Sequence, residues 1–355
     1  MSAQQTAQQT AQQAIDLARD AICGSELTAA QSRALFTGIA QGELPGTVLA
    51  GLLTALAARG ETPELVSGAA AAFVAQAVAF PEGESGFDSC GTGGDRAGTI
   101  NISTAAALVA ATAGVPMLKH GNRSVSSRSG SADVLDSLGI ATNLGPEAAR
   151  QLCDETGFAF LFAPRYHPAI ARVMPVRREL AVPTVFNLLG PLLNPAPLRA
   201  QLIGVADPRR GELVANALLQ IGRERALVVH GEGLDEIALH GETDVWELRD
   251  GKVEHYRLTP EALGLSRYPL EQLRGGDADA NARDLRALLA GNGQPAHAAA
   301  VCANAGAVFY LAGLSDSIAD GVAKAREIVA SGKGATHLEK IASRSAQLLA
   351  QEAAA

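Results

Sequence analysis

Positive charge is in deficit along this chain. Lys and Arg number 29 against 37 Asp and Glu, a net charge of −8. Affinity for a polyanion comes mainly from neutralising its phosphates, so a general nucleic-acid or anionic-membrane binder is excluded and any anion site must be local. Cysteine is sparse and scattered. Cys23, Cys90, Cys153 and Cys302 show no C-x-x-C spacing, read as small buried hydrophobes and suit a reducing compartment. No basic-then-apolar leader opens the chain and no apolar run reaches spanning length, so a cytoplasmic location is expected. Aromatics are few, with one Trp and four Tyr, and helix-forming Ala and Leu dominate the 47% hydrophobic content. In 355 residues that is enough apolar material for a sizeable core divided between two domains.

The first 80 residues read as a small all-α domain. Ala3-Gln-Gln-Thr6 repeats at Ala7–Thr10 and restarts at Ala11, so 1–13 is expected to be a frayed or disordered lead into a helix near Ala14–Ile22. Thr28 and Gln31 form a capping box, Pro45-Gly46-Thr47 opens a third helix, and Thr62-Pro63-Glu64 opens a fourth to about Ala79. A turn-rich linker at 81–86 leads into an α/β domain over 81–355, with part of 165–195 expected to pack back on the helical domain. Short apolar strands at 87–90, 116–118, 158–162, 202–205 and 226–229 alternate with helices. That alternation predicts a mostly parallel central sheet flanked by helices, with ligands at the carboxyl ends of its strands. Asp250-Gly251, between two apolar-alternating runs, predicts a hairpin at one edge. Helices follow from Asp277 onward.

The stretch from Asp88 to Asp133 carries the chemistry. No acidic residue stands between those at 95 and 133, while Arg96, Lys119, Arg123 and Arg128 do. Gly91-Thr-Gly-Gly-Asp95 leaves a strand, and its glycines let bare backbone N–H groups approach an oxyanion. It matches neither the G-x-G-x-x-G dinucleotide fingerprint nor the Walker loop, so taken alone it is equally a tight connection or a phosphate cradle. In Asn101-Ile-Ser-Thr104, Ser103 is expected to cap the next helix, whose N-terminus also favours an anion. Lys119 ends a strand within reach of the same phosphates, and His120 and Asn122 lie beside it in Lys-His-Gly-Asn-Arg. Arg123 and Arg128 could bind phosphate or pair with carboxylates; Ser126, Ser127 and Ser131 surround them with donors. Asp235-Glu236, just after a strand, is either a solvated acidic turn or a Mg²⁺ site of the kind a diphosphate needs.

The ordered set Gly91–Asp95, Asn101–Thr104, Lys119–Ser124, Ser129–Asp133, Phe186-Asn-Leu-Leu-Gly-Pro-Leu-Leu-Asn-Pro195 and Asp235-Glu236 resembles the anthranilate phosphoribosyltransferase family over nearly the whole chain. The resemblance implies a Mg²⁺-dependent, dimeric enzyme of tryptophan biosynthesis that joins anthranilate to 5-phosphoribosyl 1-diphosphate and releases diphosphate. It further implies that Gly91, Thr92, Gly93, Gly94, Asp95, Thr99, Asn101, Ser103, Thr104, Lys119 and Ser131 or its neighbours hold the phosphoribosyl diphosphate. Ser103, Asp235 and Glu236 would bind Mg²⁺, and His120, Asn122 and Arg177 would line the anthranilate path. Lys119, His120, Asn122 and Arg177 are thus the expected catalytic residues. For Arg177 a surface role is equally open from its neighbours, because Arg178 stands beside it.

The chain departs from the family where Arg96, Gly98 and Ile100 replace a usual Gly, Asn and Phe, and where Ala238 follows Ile237 in place of Ser or Thr. These changes bear on the loop's stiffness and on a supporting hydroxyl near the metal. A weakly basic amine that is nucleophilic when neutral needs no strong general base, so the expected transition state is oxocarbenium-like, with inversion at C1 and no covalent enzyme intermediate. Three alternatives carry less of the sequence. A pyrimidine nucleoside phosphorylase would share the fold but not the full Lys-His-Gly-Asn-Arg-Ser and Asn-Leu-Leu-Gly-Pro segments. A nucleic-acid-binding relative should lack the intact glycine loop and be basic, and a dinucleotide-dependent oxidoreductase fails on its fingerprint.

Overall fold

The computed structural model describes residues 3–124 and 128–354. Four helices open the chain: α1 (Ala3–Ile22), α2 (Ala29–Gln41), α3 (Gly46–Arg59) and α4 (Pro63–Val74). The capping box at Thr28 and Gln31 is formed, and Thr62 caps α4 with Pro63 at its first position. The Gln/Ala/Thr repeat belongs to α1 rather than preceding it. α4 stops five residues short of Ala79, where the Val78 N–H leaves the helix to bond Tyr166 O at 2.8 Å.

The chain then alternates. β1 (Gly86–Gly91), α5 (Ile102–Thr112), β2 (Met117–Gly121), α6 (Ser131–Ser137), α7 (Pro146–Thr156) and β3 (Phe158–Phe162) build the sheet outward in one direction. α8 (Ala163–Tyr166), α9 (Ile170–Leu180) and α10 (Phe186–Leu189) carry the chain back to β4 (Leu198–Gly204), and α11 (Gly211–Gln220) leads to β5 (Arg225–His230). β6 (Thr243–Arg249) and β7 (Lys252–Leu258) form the edge hairpin, and α12 (Ala278–Leu289), α13 (Pro295–Leu311), α14 (Ile318–Ala330) and α15 (Lys333–Ala354) complete the chain. At the hairpin turn Asp250 and Gly251 both have positive φ, 52° and 72°, as a primed turn requires.

The seven strands lie in the order β3-β2-β1-β4-β5-β6-β7. Neighbours from β3 to β5 are parallel, and β6 and β7 are antiparallel additions. The direction of growth reverses between β1 and β4, and the crevice above such a reversal is where open α/β sheets take ligands.

Because successive strand residues face opposite ways, each strand feeds two cores. Leu202, Leu227 and Val229 join α5 and α12–α15 on one face. Ile203, Ala226 and Val228 join α11 and the opening helices on the other, a core that also takes Ala169 and Val173 beside α1–α4. Truncating one fully buried member such as Phe309 to Ala would cost about 3–5 kcal/mol. The thiols are all free, and Cys153 and Cys302 are buried as expected. Cys23 is exposed and Cys90 half-buried, because Cys23 falls at the solvated end of α1 rather than on its inner face. Among the described residues no helix is long and apolar enough to cross a membrane.

Candidate active site

β1 and β4 end together at Gly91 and Gly204, which pair across the reversal point. The loop bearing Asp235 and Glu236 folds down onto this pair. A Cβ on Gly91 would lie 2.1 Å from Asp235 Oδ2, and one on Gly204 only 1.5 Å from Asp235 O. A side chain at Gly204 would strike backbone and one at Gly91 would push the Asp235 carboxylate aside, so two glycines 113 residues apart admit one acidic loop.

The glycine turn continues from β1 with Gly93 and Gly94 in left-handed conformation, at φ 68° and 85°. Its amides are only partly bare. The Thr92 N–H bonds Gly204 O at 2.9 Å, and the Gly93 N–H donates to Asp235 Oδ2 at 2.7 Å. A carboxylate oxygen therefore already occupies one N–H of the cradle, which shows the turn's chemistry and corrects the expectation of an open loop. Arg96 has φ 58°, a conformation that costs a side-chain-bearing residue about 1 kcal/mol. Thr99 pairs with Arg274 in an isolated bridge beyond the turn.

Ser103 does not cap α5. The helix begins at Ile102 behind Asn101, whose side chain is engaged elsewhere: Nδ2 donates to Ser129 O at 3.1 Å, and Oδ1 accepts from Asn281 Nδ2 at 2.9 Å. The Ser103 N–H instead donates to Glu236 Oε1 at 3.0 Å, and Ser103 Oγ lies 3.5 Å from Lys119 Nζ. Lys119 is 2% exposed and also donates to Ser89 O. Its ammonium thus sits beneath the cradle, bound to protein groups, and acts as a buried positive charge. Thr104 is buried in the next helical position.

Loss of hydration pushes the Asp235 carboxyl up, and repulsion from Asp95 adds to it. Glu236 is raised first by the same cause and then by Asp235, with Lys119 opposing. Burial and mutual repulsion hold these two carboxyls toward their neutral forms with only Lys119 opposing, so a divalent cation that relieved the repulsion would favour ionisation of both, and their hard oxygens suit one of the Mg²⁺ type. Among the described residues no group of three or more His, Cys, Asp or Glu side chains is arranged to hold a metal. Asp235, Glu236 and the Ser103 hydroxyl would accordingly share such an ion with ligand oxygens and water.

The helical bundle domain of the glycosyl transferase family matches residues 15–77, and the a/b domain of that family matches residues 84–335. An anthranilate phosphoribosyltransferase of Corynebacterium aurimucosum is 51% identical over 317 residues, covering 89% of this chain and 92% of that protein. One from Aeromonas salmonicida is 46% identical over 93% of this chain and 97% of its own. The crystal structure of anthranilate phosphoribosyltransferase from Thermus thermophilus superposes with a TM-score of 0.89 at 45% identity, covering 93% of this chain and 99% of that one. The chain belongs to the anthranilate phosphoribosyltransferase family. The Saccharomyces cerevisiae member, solved in complex with PRPP and Mg, superposes with a TM-score of 0.85 at 26% identity, covering 94% of this chain and 98% of that one.

For a member of this family, the residues expected along the second substrate's path fall in two groups. His120 is 5% exposed at the end of β2. Its Nδ1 donates to Leu161 O at 2.9 Å, which leaves Nε2 as an acceptor. Burial, then the neighbouring His167, pushes its pKa down to about 3, so it is uncharged. The His167 ring meets it edge-on at 5.2 Å. His167 was not singled out from sequence, although the His-Pro step before α9 marks it. Asn122 is exposed beyond β2, its carbonyl accepting from Ser131 Oγ at 3.2 Å. Arg177 lies apart on α9, half-buried with its guanidinium 5.2 Å from the Phe186 ring centroid, while Arg178 is exposed.

Of the two options for Arg123, the structure shows it paired with carboxylates, Asp133 at 3.0 Å and Asp136 at 2.5 Å; Arg128 is exposed. Ser126 and Ser127 lie outside the described residues. Ala238, the departure after the acidic pair, takes its hydroxyl partner from elsewhere, its N–H donating to Thr243 Oγ1 at 2.9 Å. Sequence does not single out Asn281 and gives Asn194 no role beyond its place in the Phe186–Pro195 motif, since their partners lie 180 and 106 residues away.

Proposed function

We infer that the chain joins anthranilate to 5-phosphoribosyl 1-diphosphate with release of diphosphate. The observation that carries this reading is the convergence, above the β1/β4 reversal, of the glycine turn, the N-terminus of α5, Lys119 and the acidic pair. The yeast relative solved with PRPP and Mg, and again with 4-fluoroanthranilate, supports the two substrates and the ion. In this reading Gly91–Asp95, Thr99, Asn101, Ser103, Thr104 and Ser131 hold the phosphoribosyl diphosphate. Phosphate oxygens would compete with Asp235 for the Gly93 N–H, and Ser103, Asp235 and Glu236 would hold Mg²⁺, which would supply charge neutralisation on the diphosphate.

The amine lone pair of anthranilate forms the C1–N bond as the C1–O bond to diphosphate breaks, with inversion; the bonding pair leaves on diphosphate and an amine proton passes to solvent. Lys119 lowers the cost of the negative charge building on the leaving group, a contribution of about 3 kcal/mol by analogy with oxyanion-hole donors. His120 can accept a hydrogen bond from the amine without repelling the cationic sugar, because it is neutral. Its low basicity agrees with a reaction that needs no strong general base. Asn122 would line the same path, and Arg177 would face the anthranilate carboxylate. We further assign a cytoplasmic homodimer built on a helical domain over 1–80 and an α/β domain over 81–355.

Loss of anthranilate fluorescence on mixing the full chain with 5-phosphoribosyl 1-diphosphate and Mg²⁺ tests the assignment. Phosphate-dependent cleavage of thymidine without anthranilate turnover would overturn it.

A further inference from the structure

β1 and β2 are neighbours, yet they pair in register only at Phe87 and Met117. β1 pairs with β4 along its whole length, and β2 pairs with β3 over all five residues. The central pair of strands therefore parts toward its carboxyl end, directly below the cradle. Buried backbone groups exposed by such a parting need partners, and side chains supply them. Asp88 Oδ1 accepts from the His120 N–H at 3.3 Å. Asn194 Nδ2 donates to Asp88 Oδ2 and to Leu118 O, both at 2.8 Å, and its Oδ1 accepts from the Ala196 N–H at 3.0 Å. Lys119 Nζ crosses to Ser89 O.

The chemistry of this spacer is specific. Asp88 receives a donor on each oxygen, so an amide there would set one N–H against another. Asn194 uses both of its amide protons and its oxygen, and it is 5% exposed while Asp88 is 1% exposed. Asn194 follows the helical segment that α10 opens at Phe186, the ring beneath Arg177. The spacer thus ties the segment next to the candidate anthranilate arginine to the two strands that carry the phosphate-binding groups.

We propose that Asp88 and Asn194 are positioning residues for the transfer reaction, holding β1 and β2 apart so that Lys119 of β2 can reach both Ser89 of β1 and Ser103 of α5. This rests on the proposed role of Lys119 in stabilising the departing diphosphate. It assigns Asp88 and Asn194 no contact with substrate.

The test is steady-state kinetics and circular dichroism on the full-length chain carrying Asp88→Asn, Asn194→Ser or Lys119→Met, and on the Asp88→Asn/Lys119→Met pair. Assays are run at a temperature where each protein remains folded. Both spacer variants should lose about tenfold or more in kcat, since a displacement of about 1 Å costs about 10²-fold and a smaller one less, with both KM values moving less than about threefold. In the Lys119→Met background Asp88→Asn should cost less than about threefold, because its effect passes through the lysine. Lower thermal stability with kcat within twofold of wild type, or a full multiplicative loss in the Lys119→Met background, would overturn the proposal. Should Asp88→Asn fail to fold, Asn194→Ser decides, because it leaves the carboxylate and its bond to His120 in place. An inactive wild type would overturn the functional reading and this inference with it, whereas an active wild type with unaffected spacer variants would overturn the inference alone.

Discussion

Gly204→Ala is the sharpest perturbation of the site that removes none of its polar groups. The new methyl would lie 1.5 Å from Asp235 O and 2.3 Å from its carbonyl carbon, against a limit of 3.0 Å that real Cβ contacts essentially never cross. Both clashing atoms are backbone, so no rotamer change relieves them. The Asp235–Glu236 loop must move by about 1.5 Å, the difference between 1.5 and 3.0 Å. A 1 Å misplacement of catalytic groups costs about 10²-fold, and overpacking costs about 1–3 kcal/mol of stability. We therefore expect kcat to fall about 100-fold or more, the Mg²⁺ concentration for half-maximal rate to rise, and the melting temperature to drop. Gly211→Ala is the control. Its Cβ would meet the Trp246 ring at 2.1 Å, away from the acidic loop, so stability should fall while the Mg²⁺ response of the surviving enzyme is unchanged. A Gly204→Ala protein with wild-type kcat and Mg²⁺ response would refute the packing of the acidic loop on the β1/β4 reversal.

Lys119→Met keeps most of the side chain's bulk and removes its charge; kcat should fall about 10²–10³-fold, and an unchanged kcat would remove Lys119 from the transition state. His120→Gln should flatten the dependence of melting temperature on pH. An unfolded histidine takes a proton below about 6.5, whereas His120 stays neutral to about 3. The unfolded state therefore binds more protons in that window, and stability falls as pH drops, by up to about 1.4 kcal/mol per pH unit. An unaltered slope between pH 6.5 and 4 would contradict the burial of a neutral ring. Arg96→Gly should raise stability by a few tenths to about 1 kcal/mol, because relief of the positive φ exceeds glycine's added chain entropy; denaturant unfolding showing a loss would contradict it.

Local chemistry was legible in the sequence where its partners are local. Thr28 with Gln31, Thr62 with Pro63, and Asp250 with Gly251 each fix their element within a few residues. The alternation of strands and helices gave the mostly parallel sheet and the edge at which ligands bind. What was hidden depends on distant partners. Ser103 looks like a helix cap until Asn101 is seen bonded to Ser129 and Asn281, and Ser103 to Glu236. Asp88 reads as one more polar residue in an apolar strand until Asn194 closes on it. The glycine turn reads as open because sequence does not show the carboxylate of Asp235 resting on Gly93. Arg177 could not be resolved by its neighbours, since Arg178 has the same chemistry and only the fold sets one over Phe186 and the other in solvent.

In the proposed reading a phosphoribosyl diphosphate site is completed by a carboxylate pair more than 100 residues from the glycine turn. The most direct measurement is the rate of anthranilate consumption as Mg²⁺ is titrated at saturating substrates, in the wild type and in Asp235→Ala/Glu236→Ala. The wild type should show a saturable Mg²⁺ requirement that the double variant loses or shifts to much higher concentration. Turnover without Mg²⁺, or a double variant with the wild-type Mg²⁺ response, would contradict it.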